Sequence, residues 1–364
     1  MKKLLSLICS LSLSAALLAG CSSTPQEPTV SQTPSDSEPP ASSQSVMPEP
    51  LDVNVMALKG PTAMGMVKMM EDNESLKEYV DKLEETHEDV VSTGIFYDFT
   101  ITAMTDEVSA ALSQGTTDIA AVPANLASVL YNNTEGGVQV LAINTLGVLY
   151  IVESGDTVQS IEDLRGKTIY ASGKGGTPEY ALNYVLAQNG IDPTSDVTIE
   201  WKSEQAECLA ALTAQENAIA MLPQPFVTTA QSKSDSIRVA LDLTEEWDKL
   251  QADSETPSTL VTGVVVARTE FVQEHPEAVS SFLDHYASSV EFVNSNVADA
   301  AQLVGSYDIV TAEAAQKAIP ACNIVFVEGA EMKDKLSGYL TVLFDQNAKS
   351  VGGTLPADDF YYSR

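Results

Sequence analysis

Two short loops carry the residue types in this 364-residue chain that are best suited to holding a small polar group. They are Lys59-Gly60-Pro61-Thr62 and Lys174-Gly175-Gly176-Thr177. Each follows a strand-like run and precedes a helical pattern, so its N–H groups lack intrahelical partners and lie at the positive end of a helix dipole. Glycine permits close backbone approach, and threonine adds a hydroxyl. We call residues 59–62 the first loop and residues 173–177 the second loop, and predict that both meet one small ligand.

Helix capping is the alternative explanation for both threonines. A threonine just before a helix satisfies one of the free N–H groups without any ligand. The pattern predicts a helix over residues 178–189 with Thr177 as its N-cap and Pro178 at the first helical position. A first helix is expected to start in the same way at Thr62.

Two amide side chains follow the next pair of strand-like runs, Asn125 in the first half of the chain and Gln224 in the second. An amide both donates and accepts hydrogen bonds, which suits a small polar ligand. Ordinary strand-to-helix turns explain the same residues equally well. Asn144 and Thr145 end a later strand, where hinge and ligand-binding roles are both open.

Two aromatic residues and one methionine complete the candidate binding set. Tyr180 and Phe226 can stack on a flat ring, although aromatic residues on helices also serve as core. Met64 is close enough to the first loop to line the same cleft. The chain has only four arginines, and none is placed for a bidentate clamp on a carboxylate or sulfonate. The sequence leaves open both a small anion held by helix ends and a neutral flat heterocycle held by stacking and amides.

Catalytic and metal-binding patterns are not evident. His87 falls in an acidic helical pattern, His275 precedes a proline at a helix start, and His285 lies within a helical pattern. None is near a cysteine pair or a carboxylate cluster, so we expect no zinc site and no bound cofactor. Cys208 and Cys322 lie far apart in the body of the chain, and we favour two buried free thiols over a disulfide.

The N-terminus has the pattern of a secretory signal peptide. Lys2 and Lys3 precede an apolar run that ends in Leu18-Ala19-Gly20-Cys21. This junction resembles a bacterial lipobox, which implies a signal peptide over 1–20 and a lipidated Cys21. An ordinary signal peptide with an incidental cysteine is the alternative. Residues 21–50 are rich in Ser, Thr, Pro, Gln and Glu, which predicts a disordered tether on the outer face of a membrane.

Charge and composition restrict the partners of the folded body. The chain has a formal charge of −32, and loss of Lys2 and Lys3 leaves 17 basic against 51 acidic residues, or −34. A surface this acidic argues against binding nucleic acid or adsorbing to anionic lipid, so membrane contact is expected through the N-terminal lipid only. Hydrophobic residues make up 44% of the chain, as in an ordinary globular protein.

An internal duplication underlies the two loops. Residues 107–123 and 207–223 align without a gap and are identical at seven of 17 positions, and both segments end in proline. Both halves therefore have the order strand, loop, helix, and later helix, strand, proline, helix. Alternating strands and helices predict an α/β fold with mostly parallel strands that are buried on both faces, such as 138–143 and 237–241. Ligands of open α/β sheets bind at the carboxyl ends of the strands.

The duplication predicts two lobes with a ligand cleft between them. We expect lobe 1 to comprise 51–145 and 260–364, and lobe 2 to comprise 146–259. The polar stretch 244–258 is interpreted as a surface connection, with Trp247 either packed beneath it or facing the cleft.

The body of the chain resembles the type-II periplasmic substrate-binding proteins of ABC importers, most closely the nitrate/sulfonate/taurine and thiamine-pyrimidine-precursor group. The resemblance rests on the lipobox with its linker, on Ser160–Ile169, on Gly173–Tyr180 and on Val264–Glu277. It implies a two-lobed type II fold and a lipid-anchored, monomeric solute receptor. Such a receptor delivers a small molecule to an ABC permease and its ATPase. The alternative is an enzyme on the same scaffold, related to pyrimidine-precursor synthesis, which would need a lysine and a histidine in its site.

Overall fold

The computed structural model describes residues 50–86, 94–252 and 258–364. The predicted signal peptide, Cys21, the tether up to residue 49, and His87 lie outside these ranges. Within them, no helix combines the length and the apolar character that a membrane span requires.

The first of two sheets combines early and late segments of the chain. Its spatial order is β11-β4-β10-β3-β1-β2, in which β1 pairs parallel with β2 and β3, while β10 runs antiparallel between β3 and β4. Its strands are β1 Leu51–Leu58, β2 Ile95–Thr102, β3 Ile119–Pro123, β4 Val138–Leu146, β10 Val261–Arg268 and β11 Ile324–Val327.

The second sheet is built from one continuous segment. Its order is β7-β6-β8-β5-β9, with β6 parallel to β7 and β8, and β5 antiparallel to β8 and β9. Its strands are β5 Leu149–Ser154, β6 Thr168–Ser172, β7 Thr198–Lys202, β8 Ile219–Pro223 and β9 Ile237–Asp242.

The two sheets have the same plan, which confirms the duplication. The order β2-β1-β3-β10-β4 in the first sheet corresponds to β7-β6-β8-β5-β9 in the second. The antiparallel strand next to β3 or β8 is in each case the first strand after the chain crosses from the other sheet. The protein therefore has a two-lobed α/β fold, in agreement with the prediction.

Helices connect and cover the strands. The first helix is a single turn. The three longest helices, Val67–Thr86, Pro276–Ser295 and Gly329–Gln346, all belong to the two chain segments that form the first sheet. The helices of the described ranges are α1 Pro61–Met64, α2 Val67–Thr86, α3 Thr105–Gln114, α4 Ala124–Asn133, α5 Thr177–Gln188, α6 Gln205–Ala214, α7 Phe226–Lys233, α8 Leu243–Gln251, α9 Thr269–Glu274, α10 Pro276–Ser295, α11 Val297–Ser306, α12 Ala312–Ala318 and α13 Gly329–Gln346.

Central strands are buried on both faces because helices cover each side of the sheet. In β3, residues 119–122 are inaccessible to solvent, and β4 is almost equally buried. The expectation for 237–241 was wrong, because β9 is an edge strand and its middle residues are only half-buried. Cys208 and Cys322 are both buried and free, which confirms the expectation of two thiols.

Helix α13 packs against elements of both halves of the fold, one built on each sheet. It contacts α4 and β4 of the first and α5 of the second. Its Tyr339 ring lies 5.7 Å from the ring of Trp247, which is fully buried on α8. Residues 243–251 are thus a helix and not the predicted surface connection, because the buried face of α8 presents Leu243 and Trp247 to the core.

Candidate functional site

A cleft of about 730 Å³ lies where the parallel strands of both sheets reach their carboxyl ends. Its wall includes residues directly after β1, β2 and β3 of the first sheet and after β6, β7 and β8 of the second. The two crossover segments, near Val148 and Thr262, also contribute. This volume is typical of a small-molecule site.

The first loop lines the cleft with all four of its residues. Lys59 Nζ lies 2.8 Å from a carboxylate oxygen of Asp308, and this hydrogen bond and charge hold the pKa of Asp308 below its ordinary value. Gly60 has a φ of 122°, a conformation that favours glycine. The hydroxyl of Thr62 donates to the carbonyl of Leu58 at 2.9 Å.

The second loop forms the facing part of the wall. Gly173 and Gly175 both have a φ of 83°, so the turn depends on glycine. The N–H of Gly175 donates to the carboxylate of Glu179 at 2.6 Å. Lys174 is exposed and forms no ion pair within the part of the chain that the structure describes.

The capping interpretation of the two threonines was wrong. The N-caps of α1 and α5 are Gly60 and Gly176, and neither helix has a side-chain cap. Thr177 is the first residue of α5. Its hydroxyl accepts from Tyr339 at 3.1 Å and donates to the Oδ1 atom of Asn125 at 3.3 Å. Burial raises the pKa of Tyr339, so its hydroxyl stays protonated and remains a donor.

Both predicted amides lie on the cleft wall, together with Phe226. The Nδ2 group of Asn125 donates to the carbonyl of Ser350 at 3.4 Å. The Oε1 atom of Gln224 accepts from the backbone N–H and the hydroxyl of Thr228, at 3.3 and 2.9 Å. These contacts fix the amide oxygen of Gln224 inside the protein and leave its NH₂ group without a partner among the described residues.

Four further polar residues of the wall were missed by the sequence analysis: Thr105, Asp106, Gln205 and Thr262. Thr105 and Gln205 begin α3 and α6, which follow β2 and β7 and occupy equivalent places in the duplication. Their position after β2 and β7 could have predicted them, because the carboxyl ends of neighbouring parallel strands meet at one edge of a sheet. Gln205 Oε1 and Thr262 Oγ1 are buried, and neither has a hydrogen-bond partner within the described ranges.

Four predicted residues lie outside the cleft wall: Met64, Asn144, Thr145 and Tyr180. Met64, Asn144 and Thr145 are inaccessible to solvent, and Tyr180 is almost so. Asn144 donates to the carbonyl of Thr62 at 3.2 Å, so it supports the first loop from behind. A β-carbon on Gly263 would lie 2.5 Å from Asn144 Oδ1 and 2.6 Å from the Thr62 methyl, which explains why glycine occupies this crossover position.

The charged side chains of the cleft wall are Lys59, Lys174 and Asp106, and no arginine lines it. The site thus carries two cations in a chain whose formal charge is −32. Within the described residues, His, Cys, Asp and Glu side chains form no group of three or more that could hold a metal ion. Hydroxyls, amides, backbone N–H groups, two ammonium groups, the Asp106 carboxylate and the Phe226 ring are the binding chemistry available.

A protein-family model matches most of the chain. Residues 69–318 match the family model described as "ABC transporter, phosphonate, periplasmic substrate-binding protein". The search of curated protein sequences gave no significant match.

Solved structures share the fold. An ABC transporter protein from Parabacteroides distasonis superposes with a TM-score of 0.69 at 21% identity, covering 86% of this chain and 99% of that one. The periplasmic aliphatic sulphonate binding protein SsuA from Escherichia coli gives a TM-score of 0.64 at 15% identity, covering 86% and 93%. A putative sulfonate-binding protein from Methylobacillus flagellatus gives 0.60 at 17% identity, covering 86% and 91%. At these identities the likeness concerns the fold.

Proposed function

Because the chain belongs to the family of phosphonate-type periplasmic substrate-binding proteins of ABC transporters, we propose that its cleft captures a small solute carrying a phosphonate or sulfonate group. The family consists of transport proteins, so the chain is a binding protein and not an enzyme. Its partners are a small-molecule ligand and a transporter permease, and it acts outside the cytoplasm.

The observation that carries the ligand proposal is the set of donors that face one cleft from both sheets. Lys59 comes from the first loop and Lys174 from the second, and the backbone of each loop lines the cleft beside them. The hydroxyls of Thr62 and Thr177 already donate to Leu58 and Asn125, so they are not counted among the free donors.

A tetrahedral oxyanion has three outward oxygens and accepts hydrogen bonds from several directions at once. Donors on two opposed walls suit that geometry. Lys174, which has no ion-pair partner within the described ranges, can balance a ligand's negative charge, whereas Lys59 is already paired with Asp308 and Asp106 adds a negative charge to the wall. Phosphonate was not among the ligands expected from the sequence.

One of the two buried polar atoms without partners on the wall, Thr262 Oγ1, supports the same proposal. Gln205 Oε1 and Thr262 Oγ1 are on the wall, and an unpaired buried polar atom costs about 1–3 kcal/mol. A hydroxyl such as that of Thr262 can donate to a ligand oxygen and recover that cost. The unpaired atom of Gln205 is the acceptor Oε1, which an oxyanion does not satisfy, so it favours a ligand that also carries an N–H or O–H group.

A thermal-shift and calorimetric screen tests the ligand class. We expect methylphosphonate or methanesulfonate to stabilise the protein, by about 2.7 kcal/mol when the free ligand is at a hundred times its Kd. Nitrate and a pyrimidine serve as comparison ligands. Stabilisation by the pyrimidine alone, with no response to either tetrahedral anion, would refute the oxyanion proposal.

We propose that lobe 1 comprises 51–145 and 260–364 and that lobe 2 comprises 146–259. The sheet membership supports this division, since strands up to Leu146 and from Val261 onward belong to the first sheet and those between them to the second. Ligand would then bind between the lobes, and closure about the two crossovers would enclose it.

We further propose that Cys21 is lipidated and that the mature protein is a monomer tethered to the outer face of the membrane, serving a permease with its ATPase. The support is the Leu-Ala-Gly-Cys junction followed by a polar segment. Cys21→Ala should release the protein from membranes in a fractionation experiment. Unchanged membrane association of that variant would contradict the anchor.

A further inference from the structure

The N–H of Gly175 lies in a wall of the cleft, and a side chain of the protein already occupies it. Glu179, in the first turn of α5, places a carboxylate oxygen 2.6 Å from that nitrogen. Gly175 belongs to the glycine-dependent part of the second loop, with a φ of 83°. A negatively charged acceptor thus occupies one N–H group of the cleft wall, although Glu179 itself does not line the cleft.

The position of this carboxylate has an electrostatic consequence for an anionic ligand. A ligand oxygen has two ways to approach the Gly175 N–H. It can displace Glu179 Oε2 from that N–H, or it can bind beside the charged carboxylate. Two negative charges a few ångströms apart repel each other, and the repulsion grows in proportion to the ligand's charge. The neighbouring Lys174 compensates part of this charge, since it forms no ion pair within the described ranges.

We infer that Glu179, which lies outside the cleft wall and reaches it through the Gly175 N–H, determines specificity at this site. Its charge lowers affinity for oxyanions in general and disfavours a doubly charged anion over a singly charged one. This inference rests on the proposed function. It assigns the cleft a singly charged ligand group, namely a sulfonate or a phosphonate that retains one proton. A phosphonate dianion meets the same carboxylate with twice the charge.

A structural role for Glu179 makes a different prediction. Glutamate at the third helical position accepts from backbone N–H groups ahead of a helix, and glutamine does so as well. Glu179→Gln therefore retains the hydrogen bond and removes the charge, whereas Glu179→Ala removes both. A purely structural Glu179 would lower stability in the alanine variant and leave the affinities of the glutamine variant unchanged.

The test is calorimetric titration of the full-length protein with methanesulfonate, and with methylphosphonate at a pH above its second ionisation. We expect E179Q to tighten methanesulfonate binding several-fold and the phosphonate dianion by about the square of that factor. Glu216→Gln is the matched control, because Glu216 is an exposed residue away from the cleft and its replacement changes the net charge equally. E216Q should leave both affinities unchanged.

The outcomes distinguish failure of the inference about Glu179 from failure of the proposed oxyanion function. Equal affinities in the wild type and E179Q, or equal gains for the two anions, would overturn the inference while leaving the proposed function intact. Weaker binding in E179Q would overturn it too, since it would mean that the carboxylate of Glu179 favours binding by ordering the second loop. If neither protein binds either anion, the proposed oxyanion function itself fails, and the inference fails with it.

Discussion

At the residue scale, Thr177 connects three parts of the molecule through one hydroxyl. It is the first residue of α5, accepts from Tyr339 on α13, and donates to Asn125 on α4. The residue is almost fully buried yet lies on the cleft wall. A change of this hydroxyl is therefore expected to alter both stability and ligand affinity.

Thr177→Ala should lower the free energy of unfolding by about 1–3 kcal/mol, because it leaves the buried Tyr339 hydroxyl without a partner. If the hydroxyl also contacts ligand, affinity should fall by about five- to a hundredfold. Urea denaturation and calorimetry measure the two effects. Thr177→Ser retains the hydroxyl and is the control. Adding Tyr339→Phe to the alanine variant should restore part of the stability, and a complete lack of restoration would contradict this explanation.

The two thiols give a second test at this scale. Burial raises the pKa of Cys208 to about 11 and that of Cys322 to about 12, so both thiols are protonated at pH 8. The thiolate is the reactive form. In a variant with Cys21→Ser that begins at residue 21, we expect no reaction with a thiol reagent before urea unfolds the protein and two equivalents afterwards. Labelling of either cysteine in the native protein would show that its surroundings open locally.

At the element scale, one carboxylate joins two neighbouring strands of the second sheet to a turn. Glu153 on β5 accepts from the backbone N–H groups of Thr157 and Val158 and pairs with Arg238 on β9 at 2.9 Å. Its side chain is inaccessible to solvent. Burial alone would raise the pKa of Glu153. The hydrogen bonds and the arginine outweigh burial and hold this pKa below its ordinary value.

This network predicts a pH dependence with a definite sign. Because the pKa of Glu153 is lower in the folded protein than in the unfolded chain, its contribution to stability is complete above the unfolded value of about 4.3 and is lost as the pH falls through the folded value. Thermal denaturation from pH 7 to pH 3 should show this loss. Glu153→Gln should be less stable than the wild type at pH 7 and lose less on acidification. Parallel curves for the two proteins would refute the prediction.

The elements of the cleft were predictable from the sequence where the information was local. Glycine, threonine and proline mark the strand ends, and ten of the fourteen predicted binding residues line the cleft. Thr105 and Gln205 were not predicted although each begins the helix that follows a parallel strand, because neither the threonine nor the glutamine repeats at the equivalent position of the other half. Whether a residue such as Asn144 faces the cleft or lies behind it depends on side-chain direction, which spacing alone does not determine.

At the scale of the whole molecule, an aromatic cluster links the two halves. The Trp247 ring on α8 lies 4.4 Å from Tyr184 on α5 and 5.7 Å from Tyr339 on α13. Tyr339 and Trp247 are 92 positions apart in the chain, and no periodicity connects them. This is why the sequence predicted two lobes but not the helix α13 that packs across both, and why the stretch around Trp247 was interpreted as surface.

The cluster predicts that the halves unfold together. Trp247→Ala should cost about 3–5 kcal/mol and weaken that coupling. Trp201, the other tryptophan, lies in β7 and reports on the second sheet alone, whereas far-ultraviolet circular dichroism reports on both. We expect the two signals to coincide in the wild type and to separate in the variant. Trp247→Phe retains an aromatic ring and should preserve the coincidence. Coincident transitions in all three proteins would contradict the proposed coupling.

The position of β10 between β3 and β4 has a consequence for the order in which the chain completes its structure as it emerges on the outer side of the membrane. All strands of the second sheet lie within residues 149–242, so that sheet can close as soon as this segment is available. The first sheet must wait for residues 261–268, and until then β3 presents an apolar edge with an open row of backbone groups. The first sheet therefore begins to form first and is completed last. Between the appearance of β3 and that of β10, an emerging chain is most exposed to mispairing with neighbouring chains.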